Sequence, residues 1–196
     1  IFDNPEDGAF DEQFKTTVGT LITTESENTM EQPIISGIAF NRDEAKLTVR
    51  GVPDQPGIAS RILSPIGEAN IEIDMIVQNV SADGTTDFTF TVNRSEFKKA
   101  LALLETIGQD IGAREVTGDD SIVKVSIVGV GMRSHAGVAS KMFTALANEG
   151  INIQMISTSE IKISVVMDEK YLELAVRSLH TAFGLDRATG ESRAQA

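Results

Sequence analysis

From residue 34 onward, apolar and polar positions switch repeatedly between a period of two and a period near 3.6. "IISGIAF" (34–40) and "AKLTVRGV" (45–52) have strand composition. "GIASRILSPIGEAN" (57–70) spaces Ile58, Ile62 and Ile66 as one helical face. "IEIDMIVQNV" (71–80) and "TTDFTFTVN" (85–93) read as strands joined by a tight turn at "ADG". "SEFKKALALLETIG" (95–108) predicts a helix with Ser95 as N-cap and Gly108 at its close, and "GAREVTG" (112–118) a short strand. The order is β-α-β-β-α-β, and it then restarts. Strand patterns at 121–130, 151–158 and 160–167 alternate with helical patterns at 137–150 and 168–183, the last with Asp168 as its predicted N-cap.

The second series is a copy of the first. An offset of 80 residues lays Gly57 on Gly137, Ala59 on Ala139, Ser60 on Ser140, Ile71 on Ile151, Ile73 on Ile153, Met75 on Met155 and Ile76 on Ile156. Shared Gly-x-Ala-Ser and Ile-x-Ile-x-Met-Ile at one offset mark a duplicated supersecondary unit, two copies rather than a solenoid. The second copy lacks its last strand, since "GLDRATGESRAQA" at the end has no strand character. The spare strand at 34–40 is expected to cross over and fill that place, which removes an open sheet edge.

Composition narrows the chemistry. The 196 residues include no Cys, no Trp, one Tyr and nine Phe, so the cores are aliphatic, and disulfides, thiol catalysis and cysteine metal sites are excluded. A cysteine-free chain fits a reducing cytoplasm, which is the expected location. His135 and His180 are too few for a histidine-rich metal site, and no metal or catalytic residue is expected. No apolar run approaches the roughly 18 residues of a membrane helix. The net charge of −12 argues against nucleic-acid phosphate as a partner. Much of it sits in residues 1–31, which carry eight acids and one Lys and read as an acidic leader. P-loop, G-x-G-x-x-G, G-x-S-x-G and H-E-x-x-H motifs are absent, so the chain reads as a binding module.

Two turns carry candidate chemistry. In "PDQPG", Asp54 precedes a helix that starts near Gly57. A helix N-terminus attracts carboxylates, glycine admits a ligand close to the backbone, and Asp54 could hold an amino group. The alternative is that Asp54 merely caps the helix. The matching turn "GMRSHAG" offers Ser134 and His135, again as ligand contacts or caps, while His180 reads as structural. Polar positions on the strands after each first helix (Asn70, Asp74, Gln78 and Asn79; Asn152, Gln154, Ser157, Thr158 and Ser159) need partners if buried, either across a domain interface or on a ligand.

"EAKLTVRGVPDQPGIASRI", "NIEIDMIVQNV", "GTTDFTFTV", "VKVSIVGVGMRSHAGVASKMF" and "INIQMISTSEIKISVV" together resemble the regulatory region of bacterial aspartate kinase, over about residues 16–187. "GTLIT" (19–23) resembles the end of that enzyme's kinase domain, whose Lys-Phe-Gly-Gly opening motif is absent. The resemblance implies an α+β fold of two ferredoxin-like βαββαβ ACT domains, packed side by side in a dimer. The first domain would span 45–118 and the second 33–44 plus 119–187, with a leader and kinase remnant at 1–32 and a flexible tail at 188–196. It further implies threonine and lysine as effectors, with no cofactor. One site, threonine-holding in relatives, would use Asp54, Gly57, Ile58, Ala59 and Gln78, with Asn152 and Ile153 of a facing unit. A second, lysine-holding in lysine-sensitive relatives, would use Asp74, Ser134, His135, Gly137, Val138, Ala139, Ser159 and Glu160; Ala139 stands where some relatives have Thr. The implied partners are free amino acids, a second copy of the chain, and the catalytic domain or α subunit. Relatives also make this region as a separate β subunit; a start at Ile1 favours a fragment or processed chain. The alternative function is a free-standing ACT sensor acting on another protein; a βαββαβ RNA-binding module would need a basic sheet face.

Overall fold

Among the described residues, eight strands and four α-helices follow one another in the order the periodicity predicts. The computed structural model describes residues 34–130 and 136–187, all within one unit, Pro33–Ala196. After β1 (Ile34–Asn41), the first repeat runs β2 (Glu44–Pro53), α1 (Ile58–Glu68), β3 (Ile73–Val80), β4 (Thr85–Asn93), α2 (Phe97–Ile111) and β5 (Glu115–Asp119). The second runs β6 (Ile122–Val130), α3 (Ala136–Asn148), β7 (Met155–Thr158), β8 (Lys162–Asp168) and α4 (Leu172–Phe183). The first sheet has the order β3-β4-β2-β5 and the second β1-β6-β8-β7. β1 therefore takes beside β6 the place that β5 takes beside β2, and both of these pairings are antiparallel. The strand that precedes the first repeat completes the second, as its missing strand implied. The predicted leader, "GTLIT" and the tail lie outside the described residues.

Each sheet buries one face under its own two helices. Leu47, Val49, Phe88, Phe90 and Val92 pack with Ile58, Ile62, Ile66, Ala100 and Leu104. Val123, Val125, Ile127, Ile163 and Val165 pack with Val138, Met142, Leu146, Ala175 and Leu179. The opposite, helix-free faces meet each other. Met75 of the first sheet joins Ile122, Met155 and Val166 of the second in a small third cluster.

Several predicted ends shift. Asn93, not Ser95, is the capping side chain: it accepts from Ser95 N and closes a 3-10 turn at Arg94–Glu96, so α2 begins at Phe97. Asp168 caps an equivalent turn, Glu169–Tyr171, rather than α4 itself. Gly108 does not end α2. It lies inside the helix, which runs on to Ile111 and stops at Gly112 in the left-handed region (φ 73°). Gly108 is there for packing, because a Cβ would lie 2.5 Å from Val116 Cγ2. The predicted strand at 151–158 is regular only from Met155.

Candidate functional site

The first turn forms where β2 leaves its sheet. Pro53 pairs with Thr85, and Asp54 N then donates to Gly84 O of the β3–β4 turn (3.1 Å). Ile58 N donates to Gln55 O, and Gly57, with φ 90° and ψ −4°, is the N-cap of α1. That backbone geometry suits glycine and strains other residues. No side chain caps α1. Asp54 is exposed, and its carboxylate has no hydrogen-bond partner among the described residues, so the capping role considered for it does not hold. A Cβ added at Gly57 would meet nothing within 4 Å, so the approach to the helix N-terminus is open. Ile58 is buried in the first core and Ala59 packs against it, which anchors the turn from below.

Gln78 projects from β3, exposed, at the same end of the sheet as Asp54. β2 and β3 both run antiparallel to β4, so their C-terminal ends lie together, two strand spacings or about 10 Å apart. Asn152 and Ile153 lie on the segment between α3 and β7. Asn152 is exposed, and Ile153 borders a cleft of about 530 Å³ between the two repeats, with Lys46, Thr48, Val77 and Gln154 among its walls. No hydrogen bond among the described residues links Asn152 or Ile153 to Asp54 or Gly57. One chain thus supplies half of this candidate site in each of two places.

Of the second set, Ser134 and His135 lie outside the described residues. Gly137, Val138 and Ala139 form the first turn of α3: Gly137 is exposed, Val138 is buried in the second core, and Ala139 packs against it. Ser159 and Glu160 occupy the β7–β8 turn, where Ser159 N donates to Lys162 O (2.8 Å) and Lys162 N donates to Ser159 Oγ (3.2 Å). Asp74 sits at a bulge. The β3–β4 register shifts between Ile73 and Ile76, and Met75 N turns to Thr91 Oγ1 (3.1 Å). Bulges re-aim side chains, and here Asp74 meets Lys124 of the second repeat.

Lys124 Nζ donates to both Asp74 and Glu44, the latter at 2.5 Å. Burial alone would raise the Asp74 pKa, but the hydrogen bond and charge of Lys124, with Lys162 further off, hold it below the usual carboxylate value. Burial opposes the Lys124 charge, yet Asp74 and Glu44 together raise its pKa. Glu44 is 3% exposed; its Oε1 also accepts from Asn41 Nδ2, while its buried Oε2 has no partner among the described residues. Lys46 of the first repeat in turn donates to Gln154 Oε1 of the second. Nearby, Arg94 donates to Ile122 O (2.8 Å) and pairs with Glu169 (3.0 Å). Sequence reasoning missed Lys46, Lys124, Glu44 and Arg94. The signal was available: "AKLTV" and "VKVSI" each set a lysine on the polar side of the first strand of a repeat. Among the described residues no group of carboxylates and histidines could hold a metal ion, and no helix is long and apolar enough to cross a membrane.

Two ferredoxin-like βαββαβ units, with an open helix N-terminus after the first strand of the first, define a tandem ACT-domain protein. The ACT domain family matches residues 47–109 and again residues 125–183. An aspartate kinase of Pseudomonas putida is 73% identical over 173 residues, which are 88% of this chain and 42% of that enzyme. A structure of aspartokinase alpha and beta subunits aligns with a TM-score of 0.73 at 58% identity, covering 77% of this chain and 99% of that one. The ligand-free regulatory subunit of aspartate kinase from Thermus thermophilus aligns with a TM-score of 0.72 at 42% identity, covering 76% and 98%. The chain belongs to the aspartokinase family and corresponds to its tandem ACT regulatory region. It spans about two fifths of the length of the curated relatives it matches.

Proposed function

We propose that this region senses free amino acids and transmits their level to an aspartate-phosphorylating kinase as feedback inhibition, within lysine, threonine and methionine synthesis in the cytoplasm. Threonine would sit over α1, its carboxylate on the N–H groups of Ala59 and Ser60 and its ammonium at Asp54. Gln78, with Asn152 and Ile153 of a facing unit, would close the site. Lysine would take the related position built from Asp74, Ser134, His135, Gly137, Val138, Ala139, Ser159 and Glu160. The observation that carries this reading is the unpartnered Asp54 carboxylate beside an uncapped, open helix start. It offers complementary ends to a zwitterion: the Asp54 carboxylate, and the helix start whose Ala59 and Ser60 N–H groups precede the first intrahelical bond.

The facing unit would come from a second chain. β3 and β7 are sheet edges that expose Ile76, Val80 and Ile156, and edge strands of this kind invite pairing. A relative crystallised as alpha and beta subunits supports a kinase-bearing partner. Effector binding shifts the attached kinase only if the inhibited arrangement binds the effector more tightly. Titration calorimetry with threonine and with lysine on the dimer tests the proposal. Asp54→Ala is expected to abolish threonine heat while preserving the melting temperature and dimer mass. No heat from either amino acid on wild-type dimer would reject it.

A further inference from the structure

The two repeats are tied by contacts that mirror each other. Lys46 on β2 reaches Gln154 of the second repeat, and Lys124 on β6 reaches Asp74 of the first. The donors hold equivalent positions. Two residues beyond Lys46, Thr48 hydrogen-bonds its cross-strand partner Thr89 (3.1 Å); two beyond Lys124, Ser126 does the same with Ser164 (2.8 Å). The acceptors are equivalent too, each directly preceding a buried methionine of the inter-sheet cluster, Met155 or Met75. The contacts are thus related by the internal duplication of the chain.

Each acceptor lies at the margin of regular strand pairing, beside candidate effector residues. Gln154 follows Asn152 and Ile153 and its own N–H donates to Val166 O of β8 (2.8 Å), while Asp74 occupies the β3 bulge and is itself a candidate effector residue. Asn152, Ile153 and Asp74 fall outside the regular ladder pairings, so side-chain anchors beside them help to fix their orientation. We infer that Lys46 and Lys124 are positioning residues for the two effector sites: each reaches from the opposite sheet to fix the strand-entry segment of one site, Lys46 through Gln154 and Lys124 through Asp74. The anchors differ in kind. Lys124 lies between two carboxylates, whereas Lys46 meets an amide, with the Asp119 carboxylate 3.9 Å away.

The inference rests on the proposed effector sites and is tested on the dimer by titrating threonine and lysine into wild type, Lys46→Met and Lys124→Met, with melting curves in parallel. Methionine keeps the apolar stem and removes the charge. Lys46→Met is expected to weaken threonine about tenfold, the loss of one charge-assisted hydrogen bond, and to leave lysine within about twofold by the same scale. Lys124→Met is expected to do the reverse. A merely structural role would lower both affinities together or shift the melting temperature alone, and either result overturns the inference, as does no change in affinity. Wild type binding neither amino acid would defeat the effector reading itself, before any variant is compared. If wild type binds only one, the lysine assigned to that site decides and the other variant is its control.

Discussion

Gly57 and Gly137 align in the internal repeat, yet the structure gives them opposite conformational demands. Gly57 has φ 90° and precedes its helix; Gly137 lies inside the first turn of α3 without a positive φ. A Cβ added at either would meet nothing within 4 Å, so clash drops out and backbone preference decides the sign. Alanine in the left-handed region costs about 1–2 kcal/mol, offset by about 0.4–1 kcal/mol because it stiffens the unfolded chain. Gly57→Ala should therefore destabilise by about 1 kcal/mol, a fall of about 2–4 °C in Tm for a domain of this size. Gly137→Ala meets no such strain and gains helix propensity, about 0.5 kcal/mol in the stabilising direction at an exposed position. Differential scanning calorimetry of the two variants beside wild type reads the comparison directly. Movement of both Tm values in the same direction, or a Gly57→Ala protein as stable as wild type, would refute the reasoning. Threonine titration adds a second reading, since the new methyl at position 57 stands over the helix start and should weaken binding whatever it does to stability.

Two further outcomes follow from packing and charge. The depressed pKa of Asp74 means that its contribution is present above the usual carboxylate range, about 3.9, and is lost as pH falls through its lower native value. The raised pKa of Lys124 means that its contribution is present below about 10.4 and is lost as pH rises through its higher native value. Tm measured against pH should therefore fall at both extremes, and Asp74→Asn should flatten the acid limb; an unchanged acid limb in that variant would count against the pair. Gly108→Ala should destabilise by about 1–3 kcal/mol despite its helical setting, because the new methyl meets Val116 Cγ2 at 2.5 Å. Val116→Ala should recover part of that loss in urea unfolding, and an additive double variant would show that the two residues do not touch.

The fold was legible because two independent signals agreed: apolar periodicity set each element, and the repeat set where the missing strand belonged. Single turns were less legible because one residue type serves several ends. Gly108 looks like a helix stop in one dimension, and only the approach of Val116 shows that it is an interior glycine. Ser95 and Asp168 look like equivalent helix caps, yet Asn93 and Asp168 are the equivalent pair, each closing a 3-10 turn whose first residue, Arg94 or Glu169, bridges to the other. Asp54 stands too far before Ile58 to cap α1, a matter of three residues that pattern alone does not resolve.

The lysines were illegible for a deeper reason. Alternation tells which face of a strand a residue occupies, but not whether that face meets water. Lys46 and Lys124 lie on helix-free faces that a lone βαββαβ unit would leave in solvent; packing one sheet against the other reduces the Lys124 side chain to 12% exposure. A charge enclosed in this way must find partners, and the partners at hand are Asp74 and Glu44 for Lys124, and Gln154 for Lys46. The same duplication that made the fold readable therefore also fixes which polar residues of one repeat answer to the other. The candidate effector segments inherit that coupling because Asn152 and Ile153 lead directly into Gln154, and Asp74 is itself one of the candidate residues.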